Sequence, residues 1–361
     1  MRIFHIANEV VSTGNGISNS AVDLACVQSE LGFDVSFISS GGGYIDLLQH
    51  HKVNHYSVNL YMRSGLSFLG SINKLGGLMQ EYKPDIVHAH TMTAAVLMRV
   101  GRDFAKFGQY GLITTVHNEW RSSSNLMNAG DRVIVLSESG RRAFESRGFA
   151  KHKLHVICHG ILQSPRRRTE ILAQLENSMP DDRQIIATVA GLYKRKGIGD
   201  LICAFGKLAE TFTKAELHII GWGPDEKYLR KLASESPGSE RIHFRGFIAK
   251  PYKELKKSSI FVLASHTEAF PLAVAEAREA GCAIIATTVG GVPELLEQGR
   301  AGILIPPHQP DVLAEALRRL LGDRAELEKW RSAACSNLNW LSCKRMADQT
   351  IELYRSLLQS R

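Results

Sequence analysis

The sequence predicts an α/β protein built from two doubly wound halves. Short β-branched runs alternate with helix-patterned stretches, the rhythm of a parallel sheet covered by helices. That alternation breaks at a polar tract, "QSPRRRTEILAQLENSMPDDRQ", and then begins again. A chain of 361 residues also exceeds one ordinary core, so two domains of similar size are expected, joined near residues 160 to 182.

In the first half "RIFHIA" reads as a strand and "GISNSAVDLACVQSELG" as a helix. Its Ile17, Ala21, Leu24, Ala25 and Leu31 fall near a helical period. "DVSFISS" and "HKVNHYSV" follow as strands. A helical stretch around residues 66 to 82, the strand "DIVHAH", another helix, and the strands "GLITTVH" and "RVIVLS" complete this half. After the tract come "QIIATVAG", a helix through "GDLICAFGKLAE", "AELHIIG", a helix near residues 225 to 234, "RIHFRGF" and "SSIFVLAS". A helix led by Pro271, the strands "AIIATTVGG" and "AGILIPP", and a long helical C-terminus close the chain. Ligands of such sheets bind beyond the carboxyl ends of the strands, and with two halves facing each other a central cleft is the expected site.

Hydrophobic residues at 44% and charged residues at 22% are the balance of a soluble globular protein. No apolar run reaches the roughly 18 residues of a membrane-spanning helix. "MRIFHIANEVV" is a strand pattern too brief for a signal peptide, which points to the cytoplasm. The six cysteines show neither CxxC nor zinc spacing and read as reduced, mostly core thiols. A formal charge of +8 admits nucleic acid, an anionic membrane surface or phosphorylated small molecules as partners. No zinc finger, RNA-binding aromatic motif or basic zipper accompanies the basic clusters, so no nucleic acid is expected. The triplet Arg166, Arg167 and Arg168 reads as a solvated face. "YMRSGLSFLGSINKLGGLMQEYK" mixes apolar residues with Arg63, Lys74 and Lys83. It fits a helix packed on the sheet, or peripheral contact with an anionic membrane at its inner face.

Four loops carry candidate chemistry. Gly14 and Gly16, between the first strand and first helix, let backbone amides approach an anion at a helix N-terminus, though a plain tight turn explains them equally. Lys194, Arg195 and Lys196 end at Gly197 in a strand-loop-helix context, where Lys196 can reach a phosphate and an arginine can chelate two oxygens. Gly221 and Gly223 form a third such loop, followed by Pro224, which suits the first turn of the next helix. The fourth is "SHTEAFPLAVAEAREAG", in which Glu268 and Glu276 bracket a proline-led helix. Phe270 is expected to cap that helix and Pro271 to start it, leaving the amides around Phe270 and Leu272 open to an anion. A dipole partnership explains Glu268 tolerably and Glu276 poorly. Amides for a diphosphate flanked by carboxylates for hydroxyls fit a nucleotide sugar.

These motifs resemble the retaining glycosyltransferases of the large GT-B family four, whose signature is Glu-x7-Glu. "ASHTEAFPLAVAEAREAGCAIIATTVGGVPELLEQGRAGILIPP" matches that context. "PDIVHAH", "TTVHNEW", "VIVLSESGRRAF", "VICHGI", "KGIGDLICAF", "IIGWGP" and "RGFIAK" have family counterparts in the same order. The resemblance implies an N-terminal acceptor-side domain over residues 1–162 and a nucleotide-sugar domain over 163–344. A final helix over 345–361 would cross back onto the first domain through Met346, Leu353, Tyr354 and Leu357. It further implies that Glu276 binds the ribose and Glu268 the donor sugar. Lys196 and the amides near Phe270 and Leu272 would neutralise the diphosphate. Gly16 would approach the diphosphate or sugar, and His117 would face the transferred sugar. The backbone at Phe247 and Ile248 would read the base.

Two positions depart from the family. His159 stands where it has asparagine, and Gly191 where "GRLxxxKG" has arginine, so Arg195 is the candidate to supply the missing cation. The chain has no Asp-x-Asp, in keeping with the metal-free, cofactor-free transfer that the resemblance implies. The implied partners are a nucleotide-sugar donor, a UDP-sugar foremost, and a saccharide or lipid-linked acceptor in cell-surface polysaccharide, lipopolysaccharide or glycolipid synthesis. A nucleotide-sugar epimerase or phosphorylase on the same fold, and a non-catalytic sugar-nucleotide binding protein, are the alternatives.

Overall fold

The computed structural model describes residues 1–61, 65–105, 107–167 and 184–360, with the backbone alone for residues 65–69. The described residues form two compact units, one of the chain up to Arg167 with Trp340 onward, the other of Gln184–Asn339.

In the first unit β1 (Arg2–Ile6), β2 (Asp34–Ser39), β3 (Asn54–Ser57), β4 (Ile86–Ala89), β5 (Gly111–Thr115), β6 (Arg132–Val135) and β7 (Leu154–Val156) form one sheet. Its order is β3-β2-β1-β4-β5-β6-β7, and its neighbours pair in parallel. The strands are joined through α1 (Gly16–Glu30), α2 (Ile45–His50), α3 (Gly65–Tyr82), α4 (Met92–Phe104) and α5 (Glu138–Ser146). Parallel strands need such crossovers, and with helices on both faces their residues become apolar almost throughout. Local signals set the helix starts. The Asn15 side chain accepts from the Ile17 amide at 3.0 Å to cap α1, and Ser137 accepts from the Gly140 amide at 2.9 Å to cap α5.

In the second unit β8 (Gln184–Val189), β9 (Ala215–Ile220), β10 (Ile242–Gly246), β11 (Ile260–Leu263), β12 (Ala283–Thr287) and β13 (Ile303–Ile305) form a parallel sheet of order β10-β9-β8-β11-β12-β13. Its helices are α6 (Ile198–Gly206), α7 (Glu226–Ser234), α8 (Tyr252–Lys256), α9 (Leu272–Ala280), α10 (Val292–Leu295), α11 (Pro310–Gly322) and α12 (Arg324–Cys335). The chain ends in α13 (Cys343–Gln359), which belongs to the first unit. These two sheets are the two Rossmann-like folds expected from the repeated alternation.

Side-chain alternation divides the first unit into two cores. Ile3, Phe37, Ile86 and Ile113 are buried with Leu24 of α1 and with Met346, Leu353, Tyr354 and Leu357 of α13. Phe4, Ile6, Val87 and Leu112 point the other way, onto Leu75 and Met79 of α3 and Met98 of α4. The apolar stripe of α3 therefore packs on the sheet at Leu75 and Met79; Arg63, singled out above, lies outside the described residues. Among the described residues no helix is long and apolar enough to cross a membrane.

Two expectations need correction. The arginine triplet is not a solvated face: Arg167 is buried, the Arg166 side chain is only 7% exposed, and Arg168 lies outside the described residues. Asp23 of α1 is fully buried, and its carboxylate accepts from Ser164 Oγ at 2.8 Å and from Arg166 Nε and Nη2 at 3.0 and 2.8 Å. A carboxylate taken out of water needs a paired cation and further donors, which decides where Arg166 goes. The cysteines are free, but only Cys26, Cys282 and Cys343 are buried, while Cys203 and Cys335 are exposed.

Arg278, unremarked in the sequence, is the largest fully buried side chain of the described residues. From α9 it donates to the carbonyls of Leu295, Ala334 and Ser336 at 2.6, 2.9 and 2.9 Å and to Glu297 Oε1 at 2.8 Å. One guanidinium thus ties α9 to the ends of α10 and α12. Replacing it leaves the buried Leu295 and Ala334 carbonyls without this donor and takes one partner from half-buried Glu297, so Arg278→Met is expected to lower the unfolding free energy by about 3–5 kcal/mol. Urea denaturation measures this; a loss below about 1 kcal/mol, the worth of an exposed pair, contradicts the assignment.

Candidate functional site

In the second sheet the strand order reverses between β8 and β11. Loops leaving two such strands diverge and open a crevice at their carboxyl ends, where ligands of this fold class bind. The loop after β8 carries Arg195 and Lys196; the loop after β11 carries Ser265 to Pro271. Gly197 brings the two together. Its φ is 63°, and a Cβ on it would sit 1.8 Å from the Ala264 carbonyl oxygen, so only glycine allows the approach. The His266 amide donates to the Arg195 carbonyl at 2.7 Å across the same seam.

The result is an ion pair. Lys196 Nζ donates to Glu268 Oε1 at 2.5 Å, with side-chain exposures of 15% and 6%. Ser265 Oγ donates to the same oxygen at 2.8 Å. From behind, Gly290 of the loop after β12 packs so closely that a Cβ on it would sit 1.9 Å from the Glu268 carbonyl oxygen, and the Gly291 amide donates to the Ala269 carbonyl at 2.8 Å. Three loops therefore hold Glu268, with its bonds among the described residues on Oε1 and Oε2 left as an acceptor.

Arg195 lies beside this pair. Its Nη1 donates to the Thr267 carbonyl at 3.5 Å, and its guanidinium stands 5.8 Å from the centre of the Tyr193 ring. That ring covers Gly191, where a Cβ would lie 2.8 Å from it. A longer side chain at 191 and the present Tyr193 position exclude each other.

Helix α9 starts one residue later than the sequence suggested. Pro271 is the cap, with φ −75° and ψ 106°, and Leu272 is the first helical residue. Proline has no amide, and the Val274 amide already donates to the Pro271 carbonyl at 3.1 Å. The open first-turn donors are accordingly those of Leu272 and Ala273, not those around Phe270. Phe270 itself is buried. Glu276, in the second turn, is half-buried and makes no hydrogen bond or ion pair among the described residues. At the far end of the crevice the Gly221 amide donates to the Gly246 carbonyl at 2.8 Å, placing Phe247 and Ile248 beside the loop of Trp222. Phe247, Trp222 and Tyr193 are exposed.

The first unit gathers histidines rather than charges. His5 of β1 and His88 of β4 are register partners, and His88 and His90 share one face by strand alternation. With the Gln28 carboxamide oxygen accepting from His5 Nε2 at 2.7 Å, His5 Nδ1 accepts from His90 Nε2 at 2.9 Å. His90 Nδ1 then faces His117 Nε2 at 3.4 Å. His88 is bonded to Thr115 Oγ1 and Tyr354 Oη at 2.6 and 2.5 Å. His159 stacks on His117 with ring centres 5.2 Å apart. His88, His90, His117 and His159, with Ser20 of α1 and Thr350 of α13, line a cavity of about 20 Å³, with room for about one water molecule. His117 Nδ1 is buried without a hydrogen-bond partner among the described residues, so it is free to accept from a hydroxyl. Gly16, the first residue of α1, is exposed. The "HAH" spacing could have signalled one face of the row; nothing in the sequence paired it with His5, Gln28 or Tyr354. Ser265 and Gly290 were missed for the same reason.

Residues 173–336 match the family described as Glycosyl transferases group 1, and residues 14–162 match Glycosyltransferase Family 4. An uncharacterized glycosyltransferase of Haemophilus influenzae is 25% identical over 89% of this chain and 90% of its own length. A D-inositol 3-phosphate glycosyltransferase of Catenulispora acidiphila is 24% identical over 76% of this chain and 73% of its own. Among solved structures, Anabaena HepE in complex with UDP-glucose superposes with a TM-score of 0.81 at 20% identity, covering 99% of this chain and 100% of that one. WaaG, a glycosyltransferase involved in lipopolysaccharide biosynthesis, gives 0.73 at 15% identity over 98% and 99%. The chain belongs to the group 1 glycosyltransferases and is a transferase of the GT-B fold.

Burial holds the histidine row neutral. It lowers His5 to about 4 and His117 to about 3, and pushes His88, His90 and His159 well below the ordinary value, with neighbouring histidines adding to the effect on these three. In the unfolded chain each takes a proton near pH ~6.5. Because the folded values are depressed, the stability is present above that pH and is lost as pH falls from it toward about 4, by on the order of 1.4 kcal/mol per unit for each histidine. Denaturation at a series of pH values is expected to show this slope, and His90→Gln to shrink it. Stability that stays flat from pH 7.5 to 5 contradicts a neutral row.

Proposed function

We propose that this transferase moves a hexose-type sugar, with retention and without a metal, from a nucleoside diphosphate sugar, UDP-sugars foremost, to a saccharide or lipid-linked acceptor in cell-surface polysaccharide, lipopolysaccharide or glycolipid synthesis. The observation that carries the reading is the Lys196–Glu268 pair beside the open end of α9, with Glu276, unpartnered among the described residues, one turn further in. The UDP-glucose bound to HepE and the lipopolysaccharide role of WaaG support it by analogy of fold.

On this reading the donor's diphosphate draws Lys196 partly away from Glu268 and receives the Leu272 and Ala273 amides, whose helix adds its partial positive charge. Glu268, freed on one oxygen, accepts from sugar hydroxyls, and Glu276 accepts from the ribose pair. The backbone at Phe247 and Ile248 reads the base. As the bond to the leaving phosphate lengthens, the growing charge meets donors already in place, which is where such a site gains its rate. A phosphate oxygen on the same face takes the proton of the attacking hydroxyl. His117, neutral with a free Nδ1, accepts from a hydroxyl of the transferred sugar, and Gly16 lets the backbone approach the donor.

Gly191 favours one rival, a protein that binds the donor without turning it over. The Tyr193 ring occupies the place of the missing side chain and Arg195 lies beside it, so the same loop still presents two cations, Arg195 and Lys196. Thermal melts across UDP-, GDP- and ADP-sugars are expected to show stabilisation by one nucleotide class, UDP foremost. Lys196→Ala and Arg195→Ala should each weaken donor affinity and turnover by roughly tenfold or more, since hydrogen bonds to charged groups are worth about 1.5–3 kcal/mol. Stabilisation by none of the donors would sink the reading. An intact Arg195→Ala beside a dead Lys196→Ala would remove Arg195 from the site, and donor binding without turnover of any acceptor would favour the rival.

A further inference from the structure

The geometry points to a binding site for a divalent transition metal of the zinc class on the outer strands of the second unit, held by Glu216, His218 and His243. It does not rest on the donor reading. Glu216 and His218 are two apart on β9 and so share a face, and His243 of β10 is the register partner of His218. Both imidazoles aim the same nitrogen at the same atom. His218 Nε2 lies 2.9 Å and His243 Nε2 3.6 Å from Glu216 Oε2. Tetrahedral ligands at the ~2.0–2.1 Å bonds of zinc stand ~3.3 Å apart, midway between these two distances. The rings cross at 82° with centres 5.3 Å apart. A ring nitrogen's lone pair lies in the ring plane, so crossed rings can direct two lone pairs at one point.

Two other groups of the described residues bring three such ligands together, and neither competes. His5, His88 and His90 are in the core, with the nitrogens of His5 and His88 already bonded to Gln28, His90, Thr115 and Tyr354. In the Asp200, His266 and His308 group the two rings are stacked at 3.6 Å and 30°, which sends their lone pairs side by side rather than together. At the β9–β10 site Glu216 and His243 are 44% and 38% exposed, so an ion can enter from solvent. One carboxylate and two neutral imidazoles complement a divalent charge and leave a fourth position for water.

Such an ion would fasten an edge. β10 is the outermost strand of its sheet, and its register with β9 shifts between Phe244 and Gly246, just before Phe247 and Ile248. A clamp at His243 sits immediately upstream of that irregularity, in a role of stability rather than of transfer chemistry.

The test is titration of the full chain, free of affinity tags, with Zn²⁺ by calorimetry and melting at pH 7.5, and with Co²⁺ by visible absorption. One equivalent is expected to bind, raise Tm and give tetrahedral cobalt bands. His243→Ala and Glu216→Gln, whose circular dichroism should stay native, are each expected to weaken binding by more than the roughly 10–100-fold that loss of an outer partner costs. Failure of the native chain to bind either ion, binding that survives both substitutions, or binding lost instead in His308→Ala would each overturn the assignment.

Discussion

The candidate site of the second unit depends on one backbone contact, the approach of Gly197 to the carbonyl of Ala264. A single methyl group at that point would overlap an oxygen, so the loops after β8 and β11 touch only because the residue is glycine and can hold a positive φ. The contact delivers Lys196 to Glu268 although 72 residues separate them in the chain. A paired lysine and carboxylate with little exposure carry a desolvation cost, and here it is offset by Ser265 and by the close packing of Gly290 against the Glu268 backbone. On the proposed reading, the pair is a held arrangement that a diphosphate with sugar hydroxyls would take over, an anion for the amine and donors for the carboxylate.

The first unit solves a different problem. A row of histidines crosses its sheet on the face covered by α1 and α13, and burial keeps it uncharged. Neutral imidazoles each donate once and accept once, so the orientation of the Gln28 carboxamide propagates through His5 and His90 to His117. The free acceptor at the end of that chain is Nδ1 of His117, a hydrogen-bond acceptor rather than a charge. The two units therefore carry different chemistry: cations and carboxylates at strand ends of the second sheet, neutral imidazoles in the first.

Much of the fold was legible because parallel, doubly covered strands leave runs such as "SSIFVLAS" and "AIIATTVGG", and amphipathic helices separate them. Lys196, Glu268 and Glu276 drew attention for a local reason, their positions at strand ends and a helix start. What stayed hidden was pairing. Nothing local marked Arg278, whose three carbonyl partners lie 17 to 58 residues along the chain. Arg166 looked solvated because its partner, Asp23, lies on the first helix. Ser265 and Gly290 act on Glu268 through loops that strand order brings together, which no spacing in the chain reveals. Pro271 was misplaced by one residue because a proline's fixed φ suits the cap as well as the first helical position, and the choice rests on ψ.

The most direct measurement of the central claim is a crystal structure of the chain soaked with UDP-glucose or a non-hydrolysable analogue. The expected result is a pyrophosphate within hydrogen-bonding distance of Lys196 Nζ and of the Leu272 and Ala273 amides, with the ribose hydroxyls on Glu276. A nucleotide bound away from these groups, with Lys196 and Glu268 still paired, would contradict it.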